Sequence, residues 1–193
     1  MPNRIWEMPK TEKKLYLSFD DGPHPIITNW VLDQLKAYDA KATFFCIGKN
    51  VKSYPEVYAR ILKEGHRVGN HTFHHLKASV TPNSEYLQDI QQAAALIDSD
   101  LFRPPYGSIN GFLIKRLKSE AFRMKTIMWT VISGDFDQGI SKERCLNNVL
   151  VHSKNGAIVV FHDSEKAEER MRYALPIVLK YYYEKGFTFA RLP

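Results

Sequence analysis

Short apolar runs alternate with longer stretches in which apolar residues recur at helical spacing, and this rhythm persists along the whole chain. The short runs predict strands at 15–19, 43–47, 67–70, 101–102, 126–131, 157–161 and 188–190. The amphipathic stretches predict helices at 28–38, 55–64, 83–98, 111–119, 142–153 and 165–185. Asn83 or Ser84 is the expected N-cap of its helix, with acid in the first turn. Gly65 and Gly186 stand where a helix C-terminal stop is expected. Strand–helix alternation implies an α/β fold, a parallel sheet covered by helices. About seven such units, with no GxGxxG loop after the first strand, favour barrel-like closure over a dinucleotide-binding sheet. No linker, repeat or low-complexity segment interrupts the pattern, so one domain over 1–193 is expected.

Composition adds limits rather than a function. A chain of 193 residues with 44% hydrophobic and 25% charged residues is ordinary for a soluble globular domain with a sizeable core. No apolar run approaches the ~20 residues of a membrane span. Met1-Pro2-Asn3-Arg4-Ile5-Trp6-Glu7 lacks the apolar core of a signal peptide, which predicts a cytoplasmic protein unless a leader has been removed. Cys46 and Cys145 form no CxxC pair, and Cys46 sits in an apolar run, as a buried free thiol would. The net charge of +6 comes from scattered residues with no block longer than Lys13-Lys14, and no nucleic-acid module is present. A solvated basic surface is the better reading, with an anionic polymer as the lesser alternative.

The chemistry concentrates where predicted strands end. Asp20-Asp21 closes the first strand and is followed at once by Gly22-Pro23. Alternating side chains allow two neighbours to face one pocket only where a strand gives way to a turn. One acid could then bind a metal while the other takes a proton. After the third strand come His71, His74 and His75; a helical turn would put His71 and His75 on one face, a usual spacing for two metal-binding imidazoles. His74 is expected to point away. Two imidazoles and one carboxylate make an open site with room for water. HExxH is absent, which speaks against a metalloprotease, and no HxD motif supports non-haem iron oxidation. Arg103, in Arg103-Pro104-Pro105-Tyr106-Gly107, is a fixed fork suited to gripping Asp20 and keeping it ionised. His162 closes the sixth strand, and Asp135, after the fifth, could fix its tautomer and favour its protonated form. Asp163 is a rival for that role, or a helix cap.

In order from Leu15 to His162, these motifs resemble the polysaccharide deacetylase family, carbohydrate esterase family 4, which includes chitin and peptidoglycan deacetylases. The resemblance implies a distorted (β/α) barrel of about seven strands. It implies Asp20 as catalytic base and Asp21, His71 and His75 as ligands of a metal, usually zinc, with cobalt or nickel as substitutes. It further implies Arg103 orienting Asp20, the Tyr106 N–H at the oxyanion, and His162 as general acid tuned by Asp135. Ser18 replaces the usual Thr, Ile132 an acid, Phe136 a Trp and Val160 a Leu near the acetyl pocket; these departures bear on substrate preference. The expected activity is hydrolytic removal of N-acetyl groups from an amino-sugar glycan. O-acetyl ester hydrolysis on glycans such as acetylxylan, small-molecule amide hydrolysis, and a catalytically dead glycan-binding barrel are the alternatives. Tyr54, Tyr106 and Phe136 are candidates to stack on sugar.

Overall fold

The computed structural model describes residues 4–193; residues 1–3, which begin the stretch read for a leader, lie outside the described residues. Strands β1 (Lys14–Asp20), β2 (Thr43–Cys46), β3 (Arg67–Asn70), β4 (Leu101–Phe102), β5 (Lys125–Thr126), β6 (Val131–Ile132), β7 (Ile158–His162) and β8 (Thr188–Phe189) pair in parallel. The order is β5-β4-β3-β2-β1-β7-β6, with β8 on the start of β1. Among the described residues β5 and β6 do not pair, so the curled sheet is an incomplete barrel with its seam there. Helices α1 (Ile27–Lys36), α2 (Gly48–Ser53), α3 (Pro55–Lys63), α4 (Asn83–Ala94), α5 (Gly111–Leu117), α6 (Lys142–His152) and α7 (Glu168–Glu184) complete the alternation. None of them is long and apolar enough to cross a membrane.

Period-two alternation on β1 divides the core. Leu15, Leu17 and Phe19 point outward into the main cluster with Val31, Leu35, Leu175 and Val178 from α1 and α7. Phe19 lies between Phe44 and Phe161, at 5.1 and 6.0 Å between ring centroids. Burying each such side chain contributes about 1.5–3 kcal/mol. The intervening Tyr16, Ser18 and Asp20 face the barrel interior, where Phe45, Leu101, Ile127, Ile158 and Leu192 form an inner plug. Polar residues at strand ends therefore converge above an apolar floor.

Three local expectations change. The strand expected at 126–131 splits into β5 and β6, because the carbonyls of Ile127 and Met128 turn to Arg103 and the Met128 N–H to Ile5. Pro82, not Asn83 or Ser84, occupies the N-cap of α4, and the Asn83 side chain accepts instead from Asn110 Nδ2 at 2.9 Å. Helix α2 is new; its six residues are too short for a periodic signal. Gly65 and Gly186 adopt φ of +80° and +75° past their helices, as a stop requires.

Candidate active site

Asp20 ends β1 facing inward, beside His162 on the neighbouring β7. Asp21 adopts φ +82°, a left-handed conformation, and this turn breaks the alternation so that the second carboxylate joins the first. The turn is held from three sides. Asn50 Nδ2 on α2 donates to the Asp21 carbonyl at 2.7 Å, and Ser164 Oγ lies 3.4 Å from Asp21 Oδ2. Asp163 accepts from the Gly22 N–H at 3.0 Å and from Thr28 Oγ1. Asp163 is thus neither the partner of His162 nor a helix cap; it ties the β1–α1 turn to β7. Burial pushes its carboxyl up to about 7, against the Thr28 bond. A Cβ at Gly22 would collide with this carboxylate, so Gly22→Ala should destabilise the protein by about 1–3 kcal/mol in urea unfolding; an unchanged midpoint would contradict this packing.

The two imidazoles converge without a helix. Residues 71–75 form a loop in which Thr72 and His75 take φ of +64° and +59°, folding the chain back so that the rings lie 5.1 Å apart. His71 Nδ1 is 2.7 Å from the Arg103 carbonyl, which can only accept, so Nδ1 carries the proton. Burial lowers the His71 pKa to about 4, leaving Nε2 bare at neutral pH. That lone pair faces Asp21 Oδ1 at 3.7 Å, and His75 Nε2 approaches the same oxygen at 3.2 Å. Asp21 Oδ1 is buried and accepts no hydrogen bond. Burial favours a neutral Asp21, but the neighbouring imidazoles, His75 first and then His162 and His71, hold its carboxyl well below the usual range. The three donor atoms lie within 4.8 Å of one another. Two acceptors turned toward each other with no proton between them fit a cation, and an N₂O donor set fits zinc or a similar divalent transition metal. His74 turns away, its Nδ1 2.6 Å from Asp89 Oδ1.

Arg103 follows β4 and is fully buried. Its NH1 donates to Asp20 Oδ1 at 2.7 Å and Ser18 Oγ at 2.8 Å, and its NH2 to the Met128 carbonyl at 3.0 Å. The guanidinium stacks 4.0 Å from the Phe45 ring centroid. Burial lowers the guanidinium pKa, and the Asp20 carboxylate opposes that shift. Asp20 Oδ2 keeps no protein hydrogen bond among the described residues. The next turn, Pro105–Gly107, sets Tyr106 at φ +59°; the residue is 64% exposed, and its ring lies 4.8 Å from that of His75.

Opposite, Asp135 grips His162 twice. Its Oδ1 lies 2.7 Å from His162 Nδ1, and its Oδ2 accepts the His162 backbone N–H at 2.7 Å. Burial opposes protonation of the ring, but Asp135, with Asp21 and Asp20, raises its pKa to about 9. Phe136 meets the His162 ring edge-on at 5.1 Å. Val160 is buried on the same strand face as His162, in register with Ser18 and Ile132. Tyr54 lies 6.5 Å from the His24 ring rather than against the donor cluster. The sequence reading missed Asn50, Ser164 and Asp89. Only Asp89 carries a signal there, an acid at helical spacing with the apolar Tyr86, Ile90 and Ala93.

The polysaccharide deacetylase family model matches residues 7–124, the part that carries Asp20, Asp21, His71, His75 and Arg103. A peptidoglycan-N-acetylglucosamine deacetylase of Bacillus cereus is 36% identical over 190 residues, covering 95% of this chain and 88% of that one. The crystal structure of the Bc1960 peptidoglycan N-acetylglucosamine deacetylase, in complex with 4-naphthalen-1-yl-N-oxidanyl-benzamide, superposes with a TM-score of 0.92 at 29% identity, over 99% of this chain and 91% of that one. The structure of BA3943, a CE4 family pseudoenzyme from Bacillus anthracis, gives a TM-score of 0.83 at 26% identity, over all of this chain and 68% of that one. A match over more than half the chain, and a relative this similar along nearly its whole length, place the chain in the polysaccharide deacetylase family.

Proposed function

We propose that the chain is one catalytic domain that removes N-acetyl groups from an amino-sugar glycan, peptidoglycan-like or chitin-like, and releases acetate. The observation that carries this reading is the unpartnered Asp21 Oδ1 between two imidazoles, flanked by a carboxylate with a free oxygen and a histidine held protonated. A divalent ion held by Asp21, His71 and His75, zinc or a substitute such as cobalt or nickel, would supply Lewis acidity to a carbonyl and lower the pKa of water. Asp20 Oδ2 takes the proton of the attacking water, while Arg103 holds the other oxygen still. The peptide N–H of Tyr106 is assigned to the oxyanion, where it stabilises charge as that charge develops. His162, its Nδ1 engaged by Asp135, offers Nε2–H to the departing nitrogen. An amine is a poor leaving group without that proton, whereas an alkoxide from an ester needs it less; a protonated His162 therefore favours amides.

Asp20 and His162 both stand in working positions, which supports an active enzyme over a glycan-binding pseudoenzyme. Val160, on the strand face of His162, and Phe136, edge-on to its ring, are assigned together with Tyr106 to the substrate contacts. The Bacillus cereus relative supports a peptidoglycan substrate. Peptidoglycan lies outside the cytoplasmic membrane, so this substrate implies export, in contrast to the cytoplasmic expectation from residues 1–7.

The pH dependence follows from His162. Its pKa is raised from the ordinary ~6.5 to about 9, so the acid is protonated below that value and lost above it. A bound cation nearby pulls this value down, so the alkaline limb of kcat/KM should fall at or below about pH 9, and His162→Ala should remove it. By linkage, the Asp135–His162 pair adds stability that is fully present below pH ~6.5 and lost as pH rises through about 9. A profile for His162→Ala identical to that of the parent would contradict the assignment. The substrate class is tested by acetate release from chitooligosaccharides, peptidoglycan fragments, acetylxylan and small acetamides. The N-acetylated glycans should lead, and preferential release from acetylxylan would establish an esterase instead.

A further inference from the structure

Asp89 lies outside the donor cluster, yet every hydrogen bond of its carboxylate enters the loop that carries two of the three donors. It sits on α4 and is 6% exposed. Its Oδ2 accepts the backbone N–H groups of Phe73 at 2.7 Å and His74 at 3.0 Å, and its Oδ1 takes the His74 ring nitrogen at 2.6 Å. Those bonds fall between His71 and His75, in a stretch with left-handed non-glycine residues at Thr72 and His75. Such conformations cost about 1–3 kcal/mol each and persist only where the surroundings fix them. Asn70 adds a second tie to the same helix turn: its Oδ1 accepts the Thr72 N–H at 2.9 Å, while its Nδ2 donates to the Ile90 carbonyl at 3.0 Å. The loop is thus anchored through neighbouring positions of one helix.

We infer that Asp89, with His74 as its partner, is the positioning residue that folds the 71–75 loop into its metal-binding shape. This inference rests on the assignment of His71 and His75 as ligands. A carboxylate accepts all three bonds, whereas an amide in its place would turn an NH₂ toward His74 Nδ1 and keep that contact only if the ring proton moved to Nε2. Only the intervening backbone joins the two ligands, so their separation depends on dihedrals that the Asp89 bonds hold. His74 gains a role here although it contributes nothing to the donor cluster: it is half-exposed and closes the outer side of the clamp.

The test is zinc affinity, measured by chelator competition on purified parent and variants, with acetate release at saturating zinc as the second readout. Asp89→Asn should weaken zinc binding roughly 10- to 100-fold, and saturating zinc should restore kcat, because Asp20, Arg103 and His162 are untouched. A merely structural role would lower the melting temperature of the zinc-free protein and leave zinc affinity alone. Asp89→Glu keeps the charge but displaces it by a methylene; it should also weaken binding and serves if Asp89→Asn does not fold. Affinity within twofold of the parent in whichever variant folds overturns the inference. A parent protein that binds no stoichiometric zinc overturns the ligand assignment itself, so the two failures are distinct.

Discussion

Asp20→Asn should keep one equivalent of metal and lose roughly 10²–10⁴-fold in kcat, the range expected when a positioned base is removed. The amide can still accept from Arg103 NH1, which holds Oδ1 at 2.7 Å, so the local packing survives. What disappears is the second oxygen's capacity to take a proton. The donor cluster of Asp21, His71 and His75 does not include Asp20, so elemental analysis should show unchanged metal content. Near-parental turnover in metal-loaded Asp20→Asn would remove Asp20 from the base role; loss of the metal would show that the two acids share one job.

Arg103→Ala should have the largest effect on stability. The substitution leaves Asp20, 4% exposed, with an unpaired charge, and frees the carbonyls of Ile127 and Met128 that give the seam of the barrel its shape. Removing one partner of a buried pair costs about 3–5 kcal/mol, a large share of the ~5–15 kcal/mol of a typical domain. Urea unfolding measures it. In the double variant Arg103→Ala with Asp20→Asn, part of the loss should return, because no buried charge is then stranded. A single variant within 1 kcal/mol of the parent, or a strictly additive pair, would show that the ion pair does not hold this part of the fold.

Signals carried by adjacent residues were legible. Asp20-Asp21 before Gly22-Pro23 already pointed to two acids at one pocket, and the φ of Asp21 supplies the turn that reading required. The alternation of strands and helices yielded the parallel half-barrel because β1 separates inward and outward faces residue by residue. The spacing of His71 and His75 was legible, but the helical turn invoked for it was not what brings them together. Two left-handed residues do so, and their support comes from Asp89, 14 residues beyond His75. Spacing within a motif says nothing about such a distant anchor. The same blindness explains the split of the strand at 126–131, whose carbonyls turn to Arg103, and the failed cap at Asn83, whose side chain is used by Asn110. Asp163 looked like a rival to Asp135 from its place beside His162; only the fold shows its carboxylate turned to Gly22 and Thr28.

Metal-assisted amide hydrolysis is tested most directly by acetate release from an N-acetylglucosamine-containing glycan, using protein of known metal content. Chelated protein should release no acetate, and one equivalent of zinc should restore release with a new free amine for each acetate. Undiminished release from metal-free protein, or glycan binding by the zinc-loaded protein without acetate, would contradict it.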